Sequence, residues 1–335
     1  MKLSKKLTSI VAIGVLAAFG LTACGGGNNQ QAAENQEQKV QTTNLVFASG
    51  GTSGTYYPYA GAVANVWKEA VPGLSVDVQS TGASAENINL VNNGEAEIAI
   101  VQNDVMTYAY NGTETFAGKE PITGFNTMAT VYAEVCQIVL APNSDVKSIA
   151  DLAGKRVSVG APGSGVEANA RQILAAAGLT FDDIDAQYLG FGDSANAIKD
   201  KALDAAFVTA GTPTTAVMEL ASTNDISLLA LDEAMVNELV NQYPYYTVNV
   251  IPAGTYESIQ YDVLTVAVKA TIIVSPELSE EMVYNMTKAL FDGKEAITTA
   301  HAKGAELDVQ AAVEGASVPL HPGAEKFYKE QGVIK

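Results

Sequence analysis

The sequence predicts an α/β protein with two units of similar architecture in series, each a parallel sheet covered by helices. Two observations support this fold class. Strand-like and helix-like segments alternate from residue 44 onward, and a β-α-β order predicts parallel strands joined by helical crossovers. The alternation then restarts in the second half of the chain, where a Gly- and Ser-rich loop again follows an early strand. No convincing sequence repeat relates the two halves, so the similarity is architectural.

Hydrophobic periodicity assigns the elements of the first unit. A period of two predicts a strand, and apolar residues at helical spacing predict a helix. The long helix stops before Pro72 and Gly73, and the next helix ends at Gly94. In chain order the segments are NLVFAS (strand), YPYAGAVANVWKEAV (helix), LSVDVQS (strand), SAENINLVNNG (helix) and AEIAIVQ (strand).

The second unit follows a strand at VCQIVLA and is assigned in the same way. Its predicted helices are SIADLAG, GVEANARQILAAAG, SANAIKDKAL and PTTAVMELAST, and its predicted strands are KRVSVGA, DAQYLG, DAAFVTA and ISLLAL.

Composition limits the possible partners. The chain has 335 residues, 47% of them hydrophobic and 17% charged, as is typical of globular proteins of up to two domains. Its formal net charge is -18, with only two arginines, Arg156 and Arg171. Because a nucleic-acid partner requires clustered basic residues, we expect none.

The N-terminus has the pattern of an export signal. MKLSKK supplies three lysines, LTSIVAIGVLAAFG an apolar core, and LTAC ends at Cys24. LTAC resembles the lipobox of bacterial lipoproteins, which implies that residues 1–23 are removed and Cys24 is lipidated. The alternative is an ordinary secretory signal with an incidental cysteine. Residues 24–43 contain few apolar residues after Cys24 and predict a flexible tether. Cys136 then has no disulfide partner within the chain and is expected to be a buried thiol.

Two loops without lysine or arginine are the first candidate ligand-binding segments. They are GGTSGT in the first unit and GSGV in the second. A Gly/Ser/Thr loop that begins a helix presents unpaired N–H groups and the positive end of the helix dipole, which bind an anion without a cationic side chain. The candidates here are Thr52, Ser53, Gly54, Thr55, Ser164, Gly165 and Val166. The alternative is helix capping alone, since Ser164 and Glu167 have capping-box spacing.

Further candidates lie at the ends of predicted strands, where a doubly wound sheet binds its ligand. Tyr56 adjoins the first loop, although packing at the helix start is an alternative. Gln102 offers a donor and an acceptor, while Asp104 would accept from an ammonium group or cap the next helix. Glu134, at the crossing between units, is a candidate buried hydrogen-bond acceptor. The remaining candidates are Thr81, Gly211, Thr212 and Pro213, with Pro213 expected at the first position of a helix.

Catalytic, cofactor and metal signatures are missing from the sequence. There is no G-x-S-x-G elbow and no G-x-x-x-x-G-K-[ST] loop. The two histidines, His301 and His321, lack metal-ligand spacing. We therefore predict a binding protein with no catalytic residue, cofactor or metal.

Four blocks resemble the TAXI family of extracytoplasmic solute-binding proteins of TRAP transporters. They are ASGGTSGTYYPYAGAVANV, STGASAENINLVNNGEAEIAIVQND, DLAGKRVSVGAPGSGVEANARQIL and KALDAAFVTAGTPTTAVMEL, in the order and spacing of the family. The resemblance covers residues 44–335. It implies a type II periplasmic-binding-protein fold that closes on an organic anion or amino acid such as glutamate, glutamine or 2-oxoglutarate.

The resemblance also implies lobe boundaries, partners and location. The first lobe would comprise residues 44–133 and 255–335 and the second residues 134–254, with TVYAEVCQIVL as the outgoing crossing and VNVIPAGTY near the return. The expected partners are a small-molecule ligand and a TRAP membrane permease. We expect a monomer, anchored by its N-terminal lipid in the periplasm or on the outer face of the cytoplasmic membrane. The alternatives are an ABC-importer receptor and a lipid-anchored ligand sensor.

Overall fold

The computed structural model describes residues 42–335, so the predicted signal peptide, Cys24 and residues 24–41 of the tether lie outside the described residues. The strands are β1 Thr43–Ala48, β2 Leu74–Gln79, β3 Ile98–Gln102, β4 Asn126–Leu140, β5 Arg156–Ser158, β6 Asp185–Gln187, β7 Ala205–Ala210, β8 Ser227–Leu228, β9 Thr247–Ile251 and β10 Val263–Val274. The helices are α1 Tyr56–Ala70, α2 Ser84–Asn92, α3 Asn103–Asn111, α4 Gly165–Ala176, α5 Phe191–Lys199, α6 Thr215–Ala221, α7 Glu233–Gln242, α8 Glu280–Asp292, α9 Lys294–Ala300 and α10 Pro322–Glu330. No helix within residues 42–335 is long and apolar enough to span a membrane.

The sheet consists of two parallel halves joined by two long strands. Its order is β2-β1-β3-β10-β4-β7-β5-β6, with β9 beside β10 and β8 beside β4. Strands β2, β1 and β3 are parallel, as are β6, β5 and β7. The long strands β4 and β10 pair antiparallel with each other and with their neighbours in each half. The predicted architecture of two α/β lobes joined by crossing strands is confirmed.

The returning strand differs from the prediction. The segment VNVIPAGTY begins with most of β9, which pairs only along residues 263–267 of β10. The strand that crosses back is β10 itself, whose residues 270–274 pair with β3. Val248 and Val250 of β9 are exposed, whereas nearly all of β10 is buried between neighbours. The lobe boundaries stay a prediction, because β4 and β10 run through both halves.

Each half has its own hydrophobic core. In the first half Trp67 of α1 stacks on Phe47 of β1 with 5.6 Å between ring centroids, and its indole N–H donates to the Met286 carbonyl of α8 at 2.8 Å. Helix α10 packs into the same core through Phe327 and Tyr328. In the second half, side chains of α4 and α7 cover β4, β5 and β7, with Cys136 buried among them as predicted. The two cores therefore hold the ends of the parallel strands in fixed positions.

The close contact between α8 and α10 allows a test of the packing with a matched pair of glycine variants. A Cβ at Gly323 of α10 would overlap the backbone of α8 at Glu280 and Tyr284, whereas a Cβ at Gly61 of α1 meets nothing within 4 Å. We expect Gly323→Ala to lower the free energy of unfolding by about 1–3 kcal/mol, the usual effect of overpacking. The control, Gly61→Ala, should raise it by about 0.5–1 kcal/mol, because alanine favours a helix interior. Urea denaturation measures both, and a Gly323→Ala variant as stable as the parent would contradict this packing.

Candidate functional site

A cavity of about 110 Å³ lies between the two halves, at the carboxyl ends of the parallel strands. Residues around it come from the N-terminal ends of four helices. Helix α1 contributes Thr55 and Tyr56, helix α2 Ala83 and Ser84, helix α4 Ser164 and Gly165, and helix α5 Gly190 and Phe191. Each helix directs its first N–H groups and the positive end of its dipole toward this region. The cavity is therefore surrounded by the N-terminal ends of helices from both halves.

The structure brings nine of the predicted site residues together around this cavity. They are Gly54, Thr55, Tyr56, Thr81, Gln102, Glu134, Ser164, Gly165 and Val166. These residues come from both halves of the sheet, as expected for a site between lobes.

Six predicted site residues do not line the cavity. Thr52 is exposed at the loop tip, and Ser53 turns toward α6, where its carbonyl accepts from the Ala216 N–H at 3.1 Å. The Gly211 carbonyl accepts from the Thr55 hydroxyl at 3.2 Å, so Gly211 lies behind the wall. Thr212 and Pro213 follow it without reaching the cavity. Asp104 is buried elsewhere and is described below.

The position predicted for Pro213 within its helix is wrong. Helix α6 begins at Thr215 with Thr214 as N-cap, so Pro213 precedes the helix and is exposed. The Thr214 hydroxyl donates to the Gly211 carbonyl at 2.9 Å, which closes a turn after β7. This turn delays the start of the helix and leaves Pro213 outside it.

Sequence reasoning missed the part of the wall that comes from α5 and β7. Gly190 and Phe191 line the cavity, as do Thr209 and Ala210 at the end of β7. The predicted helix began at Ser194, whereas α5 begins at Phe191 with a glycine N-cap that makes no side-chain hydrogen bond. These residues could have been found from their position at strand ends. Gly190 and Ala210 are the last residues of predicted strands, and the carboxyl ends of such strands face the ligand site.

At the start of α4, capping and an open ligand site coexist. The Ser164 hydroxyl accepts from the Glu167 N–H at 3.3 Å, and the Glu167 carboxylate accepts from the Gly163 N–H at 2.7 Å. The predicted capping box is thus only partly formed. Within the described residues, no acceptor is found for the N–H groups of Gly165 and Val166. These two donors and the Ser164 hydroxyl proton remain free for a ligand.

A buried carboxyl group and a buried amide form another part of the wall. Glu134 of β4 is 2% exposed, and its Oε1 accepts from the Tyr56 hydroxyl at 2.6 Å. Gln102, at the end of β3, is also 2% exposed, and no partner for its Oε1 is found within residues 42–335. A Cβ at Gly165 would overlap the Gln102 amide, so only glycine fits at the first position of α4. Gln102 therefore touches the α4 N-terminus of the other half.

Burial also determines the protonation of this wall. Burial raises the pKa of Glu134 to about 8, although the hydrogen bond from Tyr56 acts in the opposite direction. Burial raises the pKa of Tyr56 well above its ordinary value, and the neighbouring Glu134 raises it further. Tyr56 is therefore the donor and Glu134 the acceptor at neutral pH.

Asp104 belongs to a buried hydrogen-bonded chain beside the cavity. Its Oδ2 accepts from Asn169 of α4 at 3.0 Å, and Asn169 also donates to the Tyr246 hydroxyl at 2.9 Å. Tyr246 donates to Gln172 at 2.7 Å, and Gln172 donates to the Tyr108 hydroxyl at 2.8 Å. This chain joins α3 to α4, and burial raises the pKa of Asp104 to about 7.

No cationic side chain lines the cavity, and both arginines are engaged elsewhere. Arg156 pairs with Asp204 at 2.7 Å, and Arg171 pairs with Glu167 at 2.9 Å while lying over the Phe181 ring. Among residues 42–335, no three His, Cys, Asp or Glu side chains cluster as a metal site requires. Within the described residues, the groups at the cavity that attract an anion are therefore the helix N-termini and the hydroxyl groups.

Two α/β lobes with crossing strands and a cavity between them define a periplasmic-binding-protein fold. The chain belongs to the NMT1-like family, whose profile matches residues 47–332.

Solved structures share this fold at low sequence identity. A protein from Bordetella bronchiseptica RB50 matches with a TM-score of 0.52 and 16% identity over 89% of this chain and 91% of its own. The alkanesulfonate-binding protein SsuA from Xanthomonas axonopodis pv. citri, bound to MOPS, matches with a TM-score of 0.48 and 12% identity, covering 86% and 84% of the two chains. The substrate-binding protein of an amino acid ABC transporter matches with a TM-score of 0.46 and 12% identity, over 78% of this chain and 98% of its own.

The raised pKa values of Glu134 and Asp104 determine how stability changes with pH. Both carboxyl groups hold a proton in the folded state at pH values where their unfolded counterparts, with ordinary pKa values of 4.5 and 3.8, have lost it. Their contribution to stability is therefore complete below pH 4 and is lost as pH rises through about 7 and 8. We expect Glu134→Gln to be more stable than the parent at pH 8.5 by at least about 1 kcal/mol. This is a cautious figure, because a shift of one pKa unit already corresponds to about 1.4 kcal/mol.

Urea denaturation at pH 5 and pH 8.5 measures this difference. At pH 5 the parent and the variant should be nearly equal in stability, since glutamine preserves the shape of the protonated side chain and its bond with Tyr56. Glu277→Gln, on the surface, serves as the control and should change the pH dependence little. A Glu134→Gln variant with the pH dependence of the parent would contradict the assignment.

Proposed function

We propose that this protein is an extracytoplasmic receptor that captures a small organic anion or amino acid and delivers it to a membrane transporter. The convergence of four helix N-termini on one cavity, without a cationic side chain, carries the proposal. Unpaired N–H groups and aligned helix dipoles bind an anionic group in such a place. The fold of the solved structures reported above is consistent with this role.

The proposed ligand contacts are the residues around the cavity. An anionic group would be held by the N–H groups of Gly165 and Val166, which have no acceptor in the described part of the chain, and by the Ser164 hydroxyl. Thr55, Tyr56 and the loop around Thr81 would enclose it from the first half. Phe191 would cover an apolar part of the ligand from the second half.

Closure of the two lobes on the ligand is part of the proposal. In this structure the halves are in direct contact through Thr55 with Gly211, Ser53 with Ala216, and Ala85 with Gly163. A ligand that contacts both halves favours this arrangement over a more open one, because the full set of contacts exists only when the halves meet.

The role that we propose involves no catalysis. Both histidines cap short helical segments outside the cavity, since His301 accepts from the Lys303 N–H at 3.2 Å and His321 from the Gly323 N–H at 3.1 Å. Recovery of the bound molecule in chemically unchanged form would support a receptor over an enzyme.

The membrane partner has two candidates. The named structures reported above are a sulfonate-binding protein and a receptor of an amino acid ABC transporter, so the comparisons favour an ABC importer. The resemblance of four sequence blocks to the TAXI family favours a TRAP permease instead. We therefore rank the ABC importer first, and co-purification with a membrane ATPase or with a multi-span permease separates the two. A sensory partner, the third possibility, would show neither.

Identification of the bound molecule tests the receptor proposal directly. We expect denaturation of the purified protein to release a small carboxylate or amino acid that mass spectrometry identifies. The same compound should raise the melting temperature when added back, because it binds only the folded state. Recovery of no ligand, together with no stabilisation by any amino acid or organic acid in a screen, would refute the proposal.

Variants of α4 test the binding mode. We expect Ser164→Ala to weaken binding of the identified ligand by about tenfold, since hydrogen bonds to charged groups contribute about 1.5–3 kcal/mol. Arg171→Gln, on the same helix but outside the cavity, is the matched control and should bind as the parent does. Calorimetric titration measures both affinities. Loss of binding in Arg171→Gln with full binding in Ser164→Ala would reverse the proposed assignment.

We also propose that the receptor is held at the membrane by a lipid on Cys24, which lies outside the described residues. Small residues precede this cysteine and a polar segment follows it. Cys24→Ser should therefore abolish lipid attachment and release the protein from the membrane fraction, as metabolic lipid labelling and fractionation would show. Normal labelling of the Cys24→Ser variant would exclude this anchor.

A further inference from the structure

Most residues that line the cavity are small, and Phe191 is the largest of them whose side chain is held by packing alone. The other large side chains there are fixed by their surroundings. Tyr56 and Glu134 are buried and hydrogen-bonded to each other at 2.6 Å, and Gln102 is buried against Gly165 at the start of α4. Phe191 is only half-buried, and its ring takes part in no hydrogen bond. It is therefore the wall residue that can change in size without breaking a polar contact.

The Phe191 side chain lines two separate spaces. One is the cavity of about 110 Å³ between the halves. The other is an apolar void of about 10 Å³ inside the second half, close to the minimum space that a water molecule needs. The walls of this void come from β4, β7, α5 and α6 and include Val139, Val208 and Leu220. A shorter side chain at position 191 would therefore extend the cavity toward the void.

The position of the Phe191 ring is constrained from both halves. Phe191 is the first residue of α5 and packs against buried apolar side chains of the second half. From the first half, a Cβ at Gly54 would lie only 3.3 Å from the ring, so a side chain at that position would press on it. The ring is therefore a fixed part of the wall in this arrangement of the halves.

We propose that Phe191 sets the upper limit of ligand size, with the apolar end of the ligand against its ring and the anionic group at the start of α4. A longer apolar end would have to displace a ring that is packed from both halves, and close-packed interiors tolerate extra methylene groups poorly. Phe191 is therefore the residue that determines the chain length of the ligand. This inference rests on the proposed receptor function and adds a size limit to its ligand class.

Homologous series of anions test the size limit on the full chain. The series are unbranched monocarboxylates from acetate to octanoate, dicarboxylates from succinate to suberate, and 2-amino acids from alanine to 2-aminooctanoate, each titrated calorimetrically. In a series that binds, the parent should lose about tenfold or more in affinity for each methylene group beyond its best chain length. Phe191→Ala should move the best chain length up by about two or more carbon atoms, because the truncated side chain leaves a cavity. Each methylene group buried there should gain about fourfold in affinity.

Phe181→Ala is the matched control. Phe181 is also a half-buried phenylalanine of the second half, but it lies outside the cavity, beneath the Arg171 guanidinium. The best chain length for Phe181→Ala should equal that of the parent. Phe191→Leu keeps an apolar side chain and should move the best chain length less than Phe191→Ala does. It takes the place of the alanine variant if that variant fails to fold.

The molecule that co-purifies gives a second readout. Mass spectrometry after denaturation should find longer molecules released from Phe191→Ala than from the parent, and this comparison decides the matter where none of the series binds. An unchanged chain length in the folded variants of Phe191, or the same change in Phe181→Ala, overturns the size limit but leaves the receptor function intact. If no compound binds and no molecule is released, the receptor function fails together with the inference.

Discussion

The unpaired N–H groups at the helix N-termini are the constraint on which the rest of the site depends. Strands β1 and β2 of one half run opposite to β5 and β6 of the other, so their carboxyl ends face each other. The helices that follow them, α1, α2, α4 and α5, therefore begin around one point. Without a cationic side chain there, backbone groups must come close to the ligand, and only small residues allow this approach. Gly165, against which the Gln102 amide packs, shows how little space is left. The loops are therefore rich in glycine, serine and threonine.

The same dependence on backbone explains the contacts between the halves. A clamp built from helix N-termini works only if both halves are held in register, and the bonds from Thr55 to Gly211 and from Asn169 to Asp104 provide that register. Most are single hydrogen bonds, each of which contributes about 0.5–1.5 kcal/mol. When the halves separate, water can replace these hydrogen bonds. A ligand that adds a few further hydrogen bonds between the halves would therefore shift the population from the open to the closed arrangement.

Much of the fold could be predicted from the sequence, and nine of the residues predicted for the site line the cavity. Strand β2 and helix α1 have clear periodicity, β3 is a continuous apolar run, and Ser164 marks the start of α4 by its side chain. Helix α5 begins at a glycine that makes no cap hydrogen bond, so the wall that it contributes had no local signal. The returning strand β10 owes its place to pairing with β3 and β4, which are distant in sequence and cannot be derived from periodicity. The prediction that Asp104 lies at the ligand site fails for a similar reason, because its hydrogen-bond partner Asn169 belongs to the other half.

Glu134 connects the two parts of the proposed mechanism. It lies on β4, opposite Val268 of β10, on the pair of strands that both halves share. The helix N-termini that would hold an anionic group belong to the separate halves, whereas Glu134 lies on the strands between them. A ligand that contacts both the helices and Glu134 would therefore fix each half relative to the crossing strands, while one that contacts the helices alone would only bridge the halves. Contact with Glu134 and closure of the halves would thus depend on each other, so a ligand that reaches Glu134 would stabilise the closed arrangement best.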